Sequence, residues 1–169
     1  MKSLNIMDRV KSVDQILNEI LSDPSFQNGI AWRRQPFHDN EILVREGENG
    51  TTLFYIEEGS LRVTGHIDLD QNRRVQPGFC DLHAGDIFGE ICLNETHRRT
   101  ATVTAISDGC VVEIEGNKLN AYFDEHPMQG YLFYKKLFNV LAGRMKSANH
   151  RIENLLAWGL KAHGIEQHL

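Results

Sequence analysis

In the stretch GDIFGEICLNETHRRTATV, residues 85–103, Glu90 stands nine positions ahead of Arg99, with Gly89 just before the acid and Thr100 just after the base. An ionised Glu only accepts hydrogen bonds and suits the hydroxyl donors of a sugar, whereas Arg donates in a planar fork that matches phosphate oxygens. Gly lets backbone approach a guest closely, and consecutive backbone N–H groups beside a guanidinium make a concavity for an anion. Together these residues fit a sugar phosphate. Spacing alone favours a plainer reading, in which the Glu and Arg of a β protein form a surface salt bridge.

The elements that must hold these residues follow from hydrophobic spacing. Between about Gln35 and Glu115 the chain reads as short β-type runs, EILVRE, TLFYIEE, SLRVTGHI, TATVTAI and CVVEIE, separated by turn residues in EGENG, EEGS, QPG, AGD and SDG. Many short strands with Gly-containing turns imply a closed or two-layer antiparallel fold. Helices flank it. Residues 4–21 place Ile6, Val10, Val13, Ile16, Leu17, Ile20 and Leu21 at helical spacing, and Asp23-Pro24 stops the pattern. After Asn117 come a short helical segment, a break at His126-Pro127 and a long helix to about Trp158. The expected organisation is an N-terminal helical segment over 1–30, a β region with the Gly89–Thr100 segment over 31–126, and a long C-terminal helix and tail over 127–169.

Length and charge narrow the partners. At 169 residues and 41% hydrophobic content the chain is one domain with a real core. Its net charge of −5 argues against nucleic acid as a partner, because such binding needs a basic face. The opening MKSLNIMDRVKSVDQILNEIL is too charged for a signal peptide, and no run approaches the roughly 20 apolar residues of a membrane span. A soluble, cytoplasmic chain is expected. Cys80, Cys92 and Cys110 are odd in number and widely spaced, which points to reduced, small apolar residues with no metal to hold.

FGEICL followed by RRTATV resembles the phosphate-binding cassette of the cyclic nucleotide-binding domain family. That family includes catabolite-activator-type bacterial regulators, regulatory subunits of cyclic-AMP-dependent kinases, and the cytoplasmic domains of cyclic-nucleotide-gated and hyperpolarisation-activated channels; the cassette is most similar to the channel version. NEILVREGENGTTLFYIEEGSLRV resembles the family's leading strands and LAGRMKSANHRIENL its final helix, so the likeness runs from about residue 35 to 158. The resemblance implies a mainly β fold with flanking helices, a double-stranded β-helix or jelly-roll plus a long C-terminal helix, with cyclic AMP (cAMP) or cyclic GMP (cGMP) as ligand. On matching positions Glu90 would accept from the ribose 2′-hydroxyl and Arg99 would pair with the cyclic phosphate. Backbone N–H groups of Gly89, Ile91 and Thr100 would face the same sugar phosphate, and Cys92 and Ala101 complete the ligand-binding cassette. The Thr100 hydroxyl would reach the phosphate or the base. Hydrogen bonds to charged groups are worth about 1.5–3 kcal/mol against roughly 1 for neutral ones, so Arg99 outranks Thr100. Arg98, adjacent on an extended segment, should point away as a solvated charge. One departure from the family is Asn40, where Gly is common; Asn also visits left-handed conformations.

Tyr131, Tyr134, Phe138, Leu141, Met145, Ala148, Ile152 and Leu155 alternate spacings of three and four, the seam of a coiled coil. The seam implies a homodimer through the C-terminal helix; the alternative is that it covers the β-roll of its own chain. Asn149, beside the seam, matches a base-contacting polar residue of catabolite-activator-type regulators, although a solvent-facing Asn is the plainer reading. Only about ten residues follow Trp158, so no helix-turn-helix domain is expected. A metal-dependent cupin would need clustered histidines, and His38, His66, His83 and His97 show no metal-ligand spacing. A ligand-free interaction module is the third reading, opposed by Glu90, Arg99 and Thr100. The expectation is a stand-alone cyclic nucleotide sensor, not an enzyme, that signals through its final helix to an unidentified effector; the alternative is a fragment or relative of a transcription regulator or channel that lacks its effector domain.

Overall fold

The computed structural model describes residues 12–65, 67–70, 73–75, 78–93 and 98–162. Ile6 and Val10 of the expected first helix, and His66 and His97, lie outside the described residues. Ser12 caps α1 (Val13–Leu21), accepting from Gln15 N–H while the Gln15 side chain returns the bond, and Ile16, Leu17 and Ile20 form its buried stripe. Tyr55 Oη donates to Asp14 Oδ1 at 2.7 Å and so ties α1 to the strands.

Among the described residues ten strands follow: β1 (Trp32–Phe37), β2 (Ile42–Val44), β3 (Thr52–Glu58), β4 (Ser60–Thr64), β5 (Ile67–Asp70), β6 (Arg73–Val75), β7 (Gly78–His83), β8 (Ile87–Phe88), β9 (Thr102–Ala105) and β10 (Gly109–Glu115). They build two four-stranded antiparallel sheets, ordered β1-β10-β3-β8 and β2-β9-β4-β7, and a β5-β6 hairpin. This is the expected mainly β jelly-roll. Pro36 is tolerated because β1 is an edge strand. Period-2 alternation puts Phe54 and Ile56 of β3 into the core with Leu61 of β4, Phe88, Val103 and Val111. Asn40 has φ 65° in the turn between β1 and β2, and its N–H donates to Ala105 O at 3.0 Å; the left-handed conformation allowed by its residue type is the one it adopts.

Helix α2 (Gly116–Glu125) leaves β10 directly and α3 (Pro127–Ala162) begins after His126, so the break falls at His126-Pro127 and the last helix runs four residues beyond Trp158. The chain forms two compact units, Met1–Gly130 and Tyr131–Leu169. In the second unit Phe133 and Leu137 are buried, whereas Tyr131, Tyr134, Phe138, Leu141, Met145, Ile152 and Leu155 are exposed. No described helix is long and apolar enough to cross a membrane.

Candidate functional site

Gly89 follows β8 with φ 74°, and a 3-10 turn over Glu90–Leu93 comes next. Glycine is required there twice over. The conformation is left-handed, and a Cβ would sit 2.8 Å from Arg99 Nη1 and 3.0 Å from Thr52 O. Glu90 is half-buried at the head of the turn, Ile91 is exposed, and Cys92 is buried, its thiol pushed up to about 11 chiefly by that burial. The cysteine therefore stays a protonated thiol near neutral pH and packs as a small apolar residue.

Arg99 does not open a strand, as its place in the sequence suggests; β9 begins at Thr102. Its backbone is paired instead with the loop after β2: Arg99 N donates to Glu48 O and Gly47 N donates to Arg99 O, each at 2.8 Å, beside an antiparallel bridge between Asn49 and Arg98. Arg98 is exposed, and its Nε donates to Gly47 O at 3.1 Å. The Arg99 side chain is half-buried and turns toward β3. Nη1 donates to Thr52 O at 2.7 Å, Nη2 donates to Thr52 Oγ1 at 3.0 Å, and Cζ lies 5.5 Å over the Phe54 ring, which is stacked on Phe88. A Cβ on Gly50 would fall 2.2–2.5 Å from Nε, Cζ and Nη2, so the guanidinium fills the space of that missing side chain.

Burial lowers the pKa of Arg99, while the negative charges of Glu113 and Glu90 act the other way; an arginine stays protonated regardless. No acidic group lies within ion-pair distance of it among the described residues. Thr100 is exposed and Ala101 half-buried. Half-buried Leu43, Val63 and Cys80 pack against the core cluster that contains Phe54 and Phe88. The arrangement is thus a guanidinium held against the Phe54 ring and a carboxylate at the head of a turn. Asn149 belongs to the second unit, exposed on α3. Among the described residues no group of three or more His, Cys, Asp or Glu could hold a metal.

Gly50, Thr52 and Phe54 were not singled out from the sequence. The signal was present in GTTLFYI: alternation places Thr52, Phe54 and Ile56 on one face of a strand, but nothing local says that Arg99 lies against it.

Comparison with known proteins gives a concordant picture. The family profile described as cyclic nucleotide-binding domain matches residues 34–126. The chain is 30% identical over 152 residues to potassium/sodium hyperpolarization-activated cyclic nucleotide-gated channel 3 of Mus musculus, covering 88% of this chain and 18% of the channel. It is 34% identical over 84 residues to the cAMP-dependent protein kinase regulatory subunit of Dictyostelium discoideum, covering 50% of this chain and 25% of the subunit. The chain therefore spans a minor part of these relatives. A cyclic nucleotide-binding domain from Methylobacillus flagellatus shares the fold with TM-score 0.66 at 21% identity, covering 73% of this chain and 67% of that one.

Proposed function

The chain belongs to the cyclic nucleotide-binding domain family, and from that premise we propose that it binds cyclic AMP or cyclic GMP at the cassette and reports the ligand through α3. Its role is regulatory rather than enzymatic, and its setting is the cytoplasm. The observation that carries this reading is Arg99. A half-buried guanidinium with no ion-pair partner among the described residues, and only the more distant charges of Glu113 and Glu90 to offset its burial, is costly to keep. A cyclic phosphate offsets that cost with oxygens that the Arg fork can meet. Glu90 accepts from the ribose 2′-hydroxyl, and Leu43, Val63 and Cys80 offer apolar surface for the base. Both nucleotides share the ribose and cyclic phosphate these residues recognise, and the neighbouring Thr100 hydroxyl suits either base.

The exposed apolar stripe of α3, from Tyr131 to Leu155, pairs with a second copy of the chain. A ligand shifts a conformational equilibrium only by binding one state better than the other, so output requires that the nucleotide favour one arrangement of this helix. The signal then passes to an effector protein.

Calorimetry with cyclic AMP and cyclic GMP, on protein stripped of copurified nucleotide, tests the reading. Arg99→Ala should weaken binding by about 2–3 kcal/mol, or about 30- to 150-fold, and Arg98→Ala should change it little. Absence of heat and of thermal stabilisation with either nucleotide at millimolar concentration would sink it.

A further inference from the structure

We propose that Thr52 is the positioning residue of the site: its hydroxyl and carbonyl together set the direction in which Arg99 presents its remaining N–H groups to a cyclic phosphate. This rests on the reading of Arg99 as the phosphate partner. Thr52 is 8% exposed at the start of β3, where its backbone pairs with Glu115 of β10. Two acceptors of this one residue hold two different nitrogens of one planar group, Nη1 at 2.7 Å and Nη2 at 3.0 Å. One bond would let the head turn about it; two fix both its distance and its rotation in the plane. The contact of Nη1 with Gly89 O, at 3.5 Å, is too long to do the same. Among the described residues, the Nε–H and the second Nη2–H make no hydrogen bond.

The residue type matters as much as the distances. Both Thr52 acceptors are neutral, so they orient the guanidinium without cancelling its charge. A carboxylate there would hold it more firmly and compete with the phosphate for the same fork. Valine would keep the shape but turn a methyl toward Nη2. Serine would keep the hydroxyl.

The test measures cyclic AMP and cyclic GMP binding by calorimetry for wild type, Thr52→Val and Thr52→Ser, and reads Arg99 in the ligand-free proteins by side-chain nitrogen NMR. Thr52→Val should bind about tenfold more weakly, and Thr52→Ser within about twofold of wild type. The Arg99 Nη signals should be resolved in wild type and Thr52→Ser, and averaged by rotation of the head in Thr52→Val. A merely structural role would leave those signals alone. Wild-type affinity in Thr52→Val, an equal loss in Thr52→Ser, or the same Arg99 signals in all three proteins overturns the proposal. If Thr52→Val does not melt cooperatively, Thr52→Ala replaces it with the same expectations. Should wild type bind neither nucleotide, the cassette reading fails by itself, and the ligand-free Arg99 signals still decide whether Thr52 positions the head.

Discussion

Gly50→Ala should disable the site while leaving the fold intact. Gly50 is outside the positive-φ residues, so its backbone accepts alanine without strain. The new Cβ would lie 2.2 Å from Arg99 Nε, 2.4 Å from Cζ and 2.5 Å from Nη2. Carbon contacts settle at roughly 3.5–4.0 Å. The guanidinium must therefore retreat by about 1–1.5 Å, which breaks its 2.7 and 3.0 Å bonds to Thr52 and shifts the fork that meets the phosphate. Losing one charged hydrogen bond costs about 1.5–3 kcal/mol, so affinity for cyclic AMP and cyclic GMP should fall about 10- to 150-fold. Stability should change little, because replacing a glycine of compatible backbone gains about 0.4–1 kcal/mol through the unfolded chain, against the two bonds of a partly solvated side chain. Calorimetry and thermal melts on the same samples read both effects. In an Arg99→Ala background the extra methyl meets no guanidinium and should alter binding no further. A folded Gly50→Ala protein with wild-type affinity would refute the reasoning, as would an equal loss in both backgrounds.

Glu90→Gln should weaken the ribonucleotides about fivefold and their 2′-deoxy analogues much less, since it exchanges a charged acceptor for a neutral one at the ribose; equal losses measured by calorimetry would remove Glu90 from the sugar. In light scattering at tens of micromolar, wild type should show twice the 19.3 kDa chain mass and Ile152→Glu the single mass, because a charge in an apolar seam is costly to desolvate; a wild-type mass of 19.3 kDa refutes the dimer. Burial, with the Asp23 carboxylate 2.9 Å away, pushes the Tyr122 hydroxyl from 10 up to about 12. Its folded pKa is raised, so its stabilisation is intact below pH 10 and lost as pH rises to about 12. Tyr122→Phe should lower the melting temperature by about 2–4 °C at neutral pH and flatten its fall across that alkaline window; an unchanged alkaline slope would exclude Tyr122 as its source.

Local spacing was enough to expect strands β2, β3, β4, β9 and β10 and the flanking helices; the cassette was marked by the resemblance of FGEICL and RRTATV to a known family, since spacing alone favours a surface salt bridge. The β-type run TLFYIEE and the helical spacing in VDQILNEIL are one-dimensional patterns, and a left-handed turn at Asn40 follows from what an Asn side chain tolerates. Glu90 and Arg99 were legible as candidates because their types imply what they can bind. The partners of Arg99 were not. Thr52 is 47 positions away, and only the pairing of residues 98–99 with the loop after β2 brings β3 beneath the guanidinium; the same pairing delays β9 to Thr102. The final helix divides in the same way. Its sequence offers Phe133 and Leu137 as well as Tyr134 and Phe138 for burial, on different faces, and the structure buries the first two and exposes the others. Periodicity can say that a helix has apolar faces, but which of them leaves water is decided by tertiary packing, which no local pattern encodes.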